Sequence, residues 1–106
     1  MRVLFDQGTP VPLRRSLTGH RVATAYELGW STLKNGDLLR SAEEQGFEVL
    51  VKTDTNLRYQ QNLTSRRIAV IVLSTTSWPR IRSVVKQVAA TIDGATVGSY
   101  FEVLIP

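Results

Sequence analysis

The sequence predicts an α/β fold of three layers, a central and mostly parallel sheet of about five strands with helices on both faces, over one domain of residues 1–106. Three observations carry this expectation. Short β-type runs alternate with helical segments along the whole chain, the order from which parallel sheets are built. Residues 67–73, Arg-Ile-Ala-Val-Ile-Val-Leu, form a nearly continuous apolar run bounded by a Ser/Thr cluster, as a strand buried on both faces requires. Residues 78–92 place Ile81, Val84, Val85, Val88, Ala89 and Ile92 at helical spacing, the strongest amphipathic pattern in the chain.

Taken in order, residues 2–5 read as a strand ending in Asp6, Gln7, Gly8 and Thr9, with Thr9 as N-cap and Pro10 in the first turn of a short helix that stops by Gly19. Residues 20–25 are a second strand, and residues 26–30 are turn-like or helical. Residues 33–45 are a helix with Asn35 as N-cap, Asp37 in its first turn and Gly46 as its stop. Residues 47–53 form a strand ending in Asp54, residues 57–63 a short helical piece, and residues 67–73 the buried strand. Residues 78–92 are one helix, begun by Pro79 and closed by Asp93 and Gly94, and residues 99–105 are the last strand. Crossovers between parallel strands are expected to be right-handed.

Composition narrows the function classes. Hydrophobic residues at 42% and charged residues at 21% are those of a folded domain rather than a disordered chain. The absence of cysteine removes disulfides, thiolate nucleophiles and Cys-based zinc sites, and the single histidine, His20, removes His-rich metal sites and is expected to be structural. No apolar run approaches the roughly 20 residues of a membrane span, and the N-terminal residues do not form a signal peptide, so a cytoplasmic protein without membrane contact is expected. Neither a Gly-Lys-Ser/Thr phosphate loop nor a Gly-x-Gly-x-x-Gly motif is present. The net charge of +4 is compatible with a polyanionic partner and equally with a solvated basic surface. Arg80, Arg82 and Lys86 are read as such a surface.

Ligands of open α/β sheets sit beyond the carboxyl ends of the strands. Asp6 and Asp54 each directly follow an apolar strand. If those strands are neighbours, the two carboxylates converge, and their repulsion calls for a shared cation. A hard divalent metal fits, with Asp37 as a third oxygen ligand and Glu27 as a fourth. The alternative is structural: Asp6 as a turn former, Asp54 as an N-cap, and Asp37 as a first-turn acid favoured by the helix dipole.

The runs Arg2-Val3-Leu4-Phe5-Asp6-Gln7-Gly8-Thr9-Pro10, Gly19-His20-Arg21-Val22, Asn35-Gly36-Asp37-Leu38-Leu39-Arg40-Ser41-Ala42 and Gly46-Phe47-Glu48-Val49-Leu50-Val51-Lys52-Thr53-Asp54-Thr55-Asn56-Leu57 resemble the PIN-like domains of unknown function. These are compact relatives of the PIN-domain ribonuclease toxins of bacterial toxin–antitoxin pairs. The resemblance covers about the first three quarters of the chain, and its most specific pieces are Leu-Phe-Asp and Val-Leu-Val-Lys-Thr-Asp. It implies an acidic pocket holding Mg2+ or Mn2+, and hydrolysis of RNA by a toxin with a cognate antitoxin partner. Asp6, Asp37 and Asp54 match the family's acids, with Glu27 as a further catalytic residue. Asn56 stands where related chains often carry another acid, and the chain is shorter than the fuller toxins between His20 and Leu33.

On this resemblance Lys34, Arg58, Arg66 and Arg67 are RNA phosphate contacts, Asn56 binds a ligand water or a phosphate, and Tyr59 or Trp30 stacks on a base. A homodimer or antitoxin contact is expected along the apolar residues 100–105. The alternative reading is a non-catalytic module of the same fold that holds RNA or a partner protein. A phosphoacceptor domain is a third reading, disfavoured because the paired acids and the lysine of such domains are absent.

Overall fold

The structure, a computed structural model, describes residues 1–53 and 66–106. Its five strands are β1 (Arg2–Phe5), β2 (Arg21–Thr24), β3 (Val49–Lys52), β4 (Ala69–Leu73) and β5 (Tyr100–Val103). All pairings are parallel, in the order β2-β1-β3-β4-β5. The helical elements are a 3-10 segment (Val11–Ser16), α1 (Asn35–Glu44), α2 (Trp78–Ser83) and α3 (Val85–Asp93). The helical piece expected over residues 57–63 lies outside the described residues. No helix among the described residues is long and apolar enough to cross a membrane.

Alternation along the strands sends side chains to two cores. Val3, Phe5, Val49, Val51, Ala69 and Ile71 pack with Leu13 of the 3-10 segment, Ile81 of α2, and Val88 and Ile92 of α3. Leu4, Leu50, Val70 and Val72 pack with Leu38, Leu39 and Ala42 of α1. α1 thus packs in one of these cores and the 3-10 segment, α2 and α3 in the other, and the fully buried β4 explains why that strand reads as a nearly continuous apolar run.

Three local expectations are corrected. Pro10, not Thr9, occupies the N-cap of the 3-10 segment, because the Thr9 hydroxyl is drawn to Asp6 and Val51 instead. Lys34, not Asn35, caps α1, which begins at Asn35. The single helix expected over residues 78–92 breaks at Val84 (φ −126°, ψ 28°). There the Ser83 hydroxyl donates to the Arg80 carbonyl at 2.6 Å, and the β-branched pair Val84-Val85 disfavours a continuous turn.

Crossover hand is a fourth correction. The steps from β1 to β2 and from β4 to β5 run in opposite directions across the sheet, yet both carry their helices over the same face. The two connections are therefore of opposite hand, against the right-handed rule. Leu13 of the six-residue 3-10 segment and the following Leu17 share that core with Ile81, Val88 and Ile92 of α2 and α3.

Glycine closes α1 as expected. Gly46 has φ +81°, with Phe47 N–H on the Ala42 carbonyl at 2.9 Å and Gly46 N–H on the Glu43 carbonyl at 3.0 Å, a Schellman motif. A β-carbon at Gly46 would also meet Arg2 Nη1 at 3.0 Å, where the guanidinium lies 4.4 Å above the Phe47 ring. Gly46→Ala is therefore expected to lose about 1–2 kcal/mol, the cost of a left-handed residue with a side chain. A lowering of Tm by several degrees checks this, and an unchanged Tm contradicts it.

Candidate functional site

The strand order changes direction between β1 and β3, and a ligand cleft in such a sheet opens at the carboxyl edge of that junction. β1 and β3 are paired, with Phe5 in register with Val51. The chain leaves β1 in a tight turn over residues 6–9, where Thr9 N–H donates to the Asp6 carbonyl at 3.2 Å and Asp6 N–H donates to the Val51 carbonyl at 3.0 Å. Thr9 is buried, its Oγ1 2.7 Å from Asp6 Oδ1 and 2.9 Å from the Val51 carbonyl oxygen, so its one proton serves either acceptor. A β-carbon at Gly8 would collide with the Thr53 hydroxyl, so position 8 needs glycine to bring the turn against the end of β3. Asp6 is thus both a turn former and a half-buried carboxylate at the junction.

The second wall of the site is the turn after β2. Thr24 N–H donates to Glu27 Oε1 at 2.9 Å and Glu27 N–H donates to Thr24 Oγ1 at 3.1 Å, a reciprocal capping box. At its other end Gly29, at φ +74°, allows Trp30 N–H to reach the Ala25 carbonyl at 2.8 Å and Gly29 N–H the Tyr26 carbonyl at 3.1 Å. This single turn is closed at both ends. It holds Glu27 against Arg14 of the 3-10 segment, whose guanidinium pairs with both carboxylate oxygens, Nη1 lying 3.4 Å from Oε2. The Arg14 hydrogen bond, reinforced by the Thr24 N–H, holds the Glu27 carboxyl below its ordinary range.

Between the two turns lies a cavity of about 280 Å3 whose lining includes Asp6, Gln7, Thr9, Arg14, Tyr26 and Glu27. Two of the four expected acids, Asp6 and Glu27, are therefore brought to one cavity. Their hard oxygen donors suit Mg2+ or Mn2+, which bind through one or two carboxylates and keep several waters. Glu27 is already engaged by Arg14, so Asp6 is the better direct ligand. Among the described residues no group of three or more His, Cys, Asp or Glu side chains is gathered in one place.

Asp37 sits in the first turn of α1 as expected, exposed and 3.5 Å from Arg40, and it does not line the cavity. Lys34, just before it, is exposed. Asp54, Asn56, Arg58 and Tyr59 lie outside the described residues. Arg66 and Arg67 precede β4 and so stand at the amino edge of the sheet, one strand length of roughly 13–17 Å from the Asp6 turn. Arg66 is also held by Glu43 of α1 at 2.9 Å. Arg66 and Arg67, expected as RNA phosphate contacts, therefore stand apart from the cavity, because residues before a parallel strand lie at the edge opposite those after one.

Trp30 is corrected likewise, because its ring packs edge-to-face on Phe47 at 6.2 Å within the α1 core. The aromatic at the cavity is Tyr26. His20 is structural as expected, with Nε2 2.5 Å from Asp93 Oδ1 at the end of α3. Sequence reasoning missed Arg14, Tyr26 and the buried Lys52 at the end of β3. The Thr24-x-x-Glu27 spacing was the available signal for the turn that positions the first two.

The Glu27 carboxyl yields a pH prediction. A folded-state pKa below the ordinary 4.5 means that its contribution to stability is complete above that value and is lost as the pH falls through the lower folded value. The Tm difference between wild type and Glu27→Gln is expected to be constant near neutrality and to shrink on acidification below about pH 4.5. A difference independent of pH contradicts the pairing.

Comparison with protein-family models, with curated proteins and with solved structures finds no match to this chain.

Proposed function

We propose that the chain is an Mg2+- or Mn2+-dependent endoribonuclease of the PIN-like kind, the toxin component of a cytoplasmic toxin–antitoxin pair. The observation that carries this reading is the Asp6 turn, tied through Val51 and Thr53 to the end of β3 at the point where the strand order changes direction. Asp54 is the next residue after Thr53 in the sequence, so the two strands that end in acids are adjacent, as a shared metal site demands.

In this reading Asp6 and Asp54 bind the ion directly and Glu27 acts through water, whereas Asp37, exposed beside Arg40, stands outside the cavity. An ion held there would supply an acidified water and positive charge for hydrolysis of a phosphodiester. Thr9 fixes one Asp6 oxygen by its hydroxyl, so that the carboxylate does not have to be ordered when the substrate arrives. Lys34, Arg58 and Asn56 are the proposed contacts to the RNA backbone. The exposed Phe101 and Leu104, on and just beyond edge strand β5, are where an antitoxin or a second copy is proposed to bind.

A second reading, a non-catalytic module that holds RNA or a partner protein, is favoured by one observation: Arg14 occupies Glu27, removing one acid from metal duty.

Asp6→Asn tests the proposal. An asparagine keeps an oxygen that can accept from Thr9, so the metal-free variant is expected to be about as stable as wild type. Manganese is expected to raise the Tm of wild type and not of the variant, and cleavage of single-stranded RNA is expected in manganese, absent with chelator and absent in Asp6→Asn. Equal destabilisation of the variant with and without manganese overturns the metal site. RNA binding without cleavage by wild type in manganese selects the non-catalytic module.

A further inference from the structure

We infer that the cavity between the turns after β1 and β2 is a subsite for one unpaired nucleobase of a single-stranded RNA, with Tyr26 as its stacking face and Gln7, Arg14 and Glu27 as its polar edge. The class of ligand rests on the ribonuclease reading; the recognition chemistry rests on the cavity itself.

Size is the first argument. At about 280 Å3 the cavity lies just below the roughly 300–1,000 Å3 range of small-molecule sites, which suits a single ring system rather than a peptide segment. Charge is the second. Arg14 and Glu27 neutralise each other, so this part of the site does not select a phosphate; it offers an uncharged ligand both donors and acceptors, the mixture that base edges present.

The aromatic face is the third feature. Tyr26 is 77% exposed. An exposed aromatic on a free loop would lose much conformational freedom on binding, but Tyr26 sits in the turn that Thr24, Glu27 and Gly29 close at both ends, so its backbone is ordered in advance. The same cavity includes Asp6, which places the base subsite directly beside the proposed phosphate chemistry.

The test is binding of a short fluorescein-labelled single-stranded RNA, followed by anisotropy with calcium in place of manganese, to wild type, Tyr26→Ala and Tyr26→Phe. Because Tyr26 is largely exposed, both variants are expected to melt as wild type does. Loss of one base stack is expected to weaken binding about tenfold or more in Tyr26→Ala, whereas Tyr26→Phe, which keeps the ring, is expected to bind as wild type, and duplex RNA of the same sequence to bind more weakly. Equal affinity of Tyr26→Ala and wild type overturns the inference, as does equal affinity for duplex and single strand or an absence of RNA binding by wild type. The ribonuclease reading is judged separately by cleavage in manganese. A wild type that cleaves while Tyr26→Ala binds undiminished removes only the base subsite, and a Tyr26-dependent binder that never cleaves removes only the ribonuclease.

Discussion

The carbonyl of Val51 is the anchor on which the site depends. It lies in β3 at the register position of Phe5, the last residue of β1, and it accepts from the Asp6 backbone N–H while the Thr9 hydroxyl stands within reach of it. Without the β1–β3 pairing the Asp6 turn would have no fixed floor, and with it the carboxylate is held at the carboxyl edge where the strand order changes direction. Buried backbone groups must be paired, so this arrangement satisfies the end of the ladder and orients an acid at once.

The second wall follows from a different constraint, the need to end β2 and turn toward α1 in few residues. A capping box and a left-handed Gly29 achieve the reversal in a single turn. Its acid, Glu27, serves the turn and the Arg14 pair together, which is why its carboxyl is held in the ionised form. One residue thus carries a structural duty and lines the cavity. Half-exposed ion pairs contribute little stability, so the value of the Arg14–Glu27 contact lies in shaping the wall between the β1 and β2 turns.

Much of this was legible in the sequence because burial on both faces leaves an unmistakable mark. The apolar run of β4, the helix stop at Gly46 and the acid after β1 are each dictated by local chemistry, and the structure places them as read. What local patterns do not encode is which edge of the sheet a residue faces. Arg66 and Arg67 read as phosphate contacts on the resemblance, and chain direction sets them at the amino edge, apart from the cavity. Trp30 read as a stacking face until Phe47, distant in sequence, claimed its ring. Thr9 looked like a helix cap because its acceptor, Val51, arrives only through tertiary pairing. Helical periodicity over residues 78–92 likewise concealed the break at Val84, since both halves bury the same face.

The proposed activity depends on Asp6 as the ligand of a divalent cation. Crystals of the wild-type protein grown or soaked with manganese, with diffraction recorded at a wavelength where manganese scatters anomalously, test that claim most directly. An anomalous peak within coordination distance of an Asp6 carboxylate oxygen, at the carboxyl edge of β1 and β3, is the predicted result. A peak only elsewhere on the molecule, or an Asp6 carboxylate that keeps its Thr9 contact and no metal at saturating manganese, would contradict it.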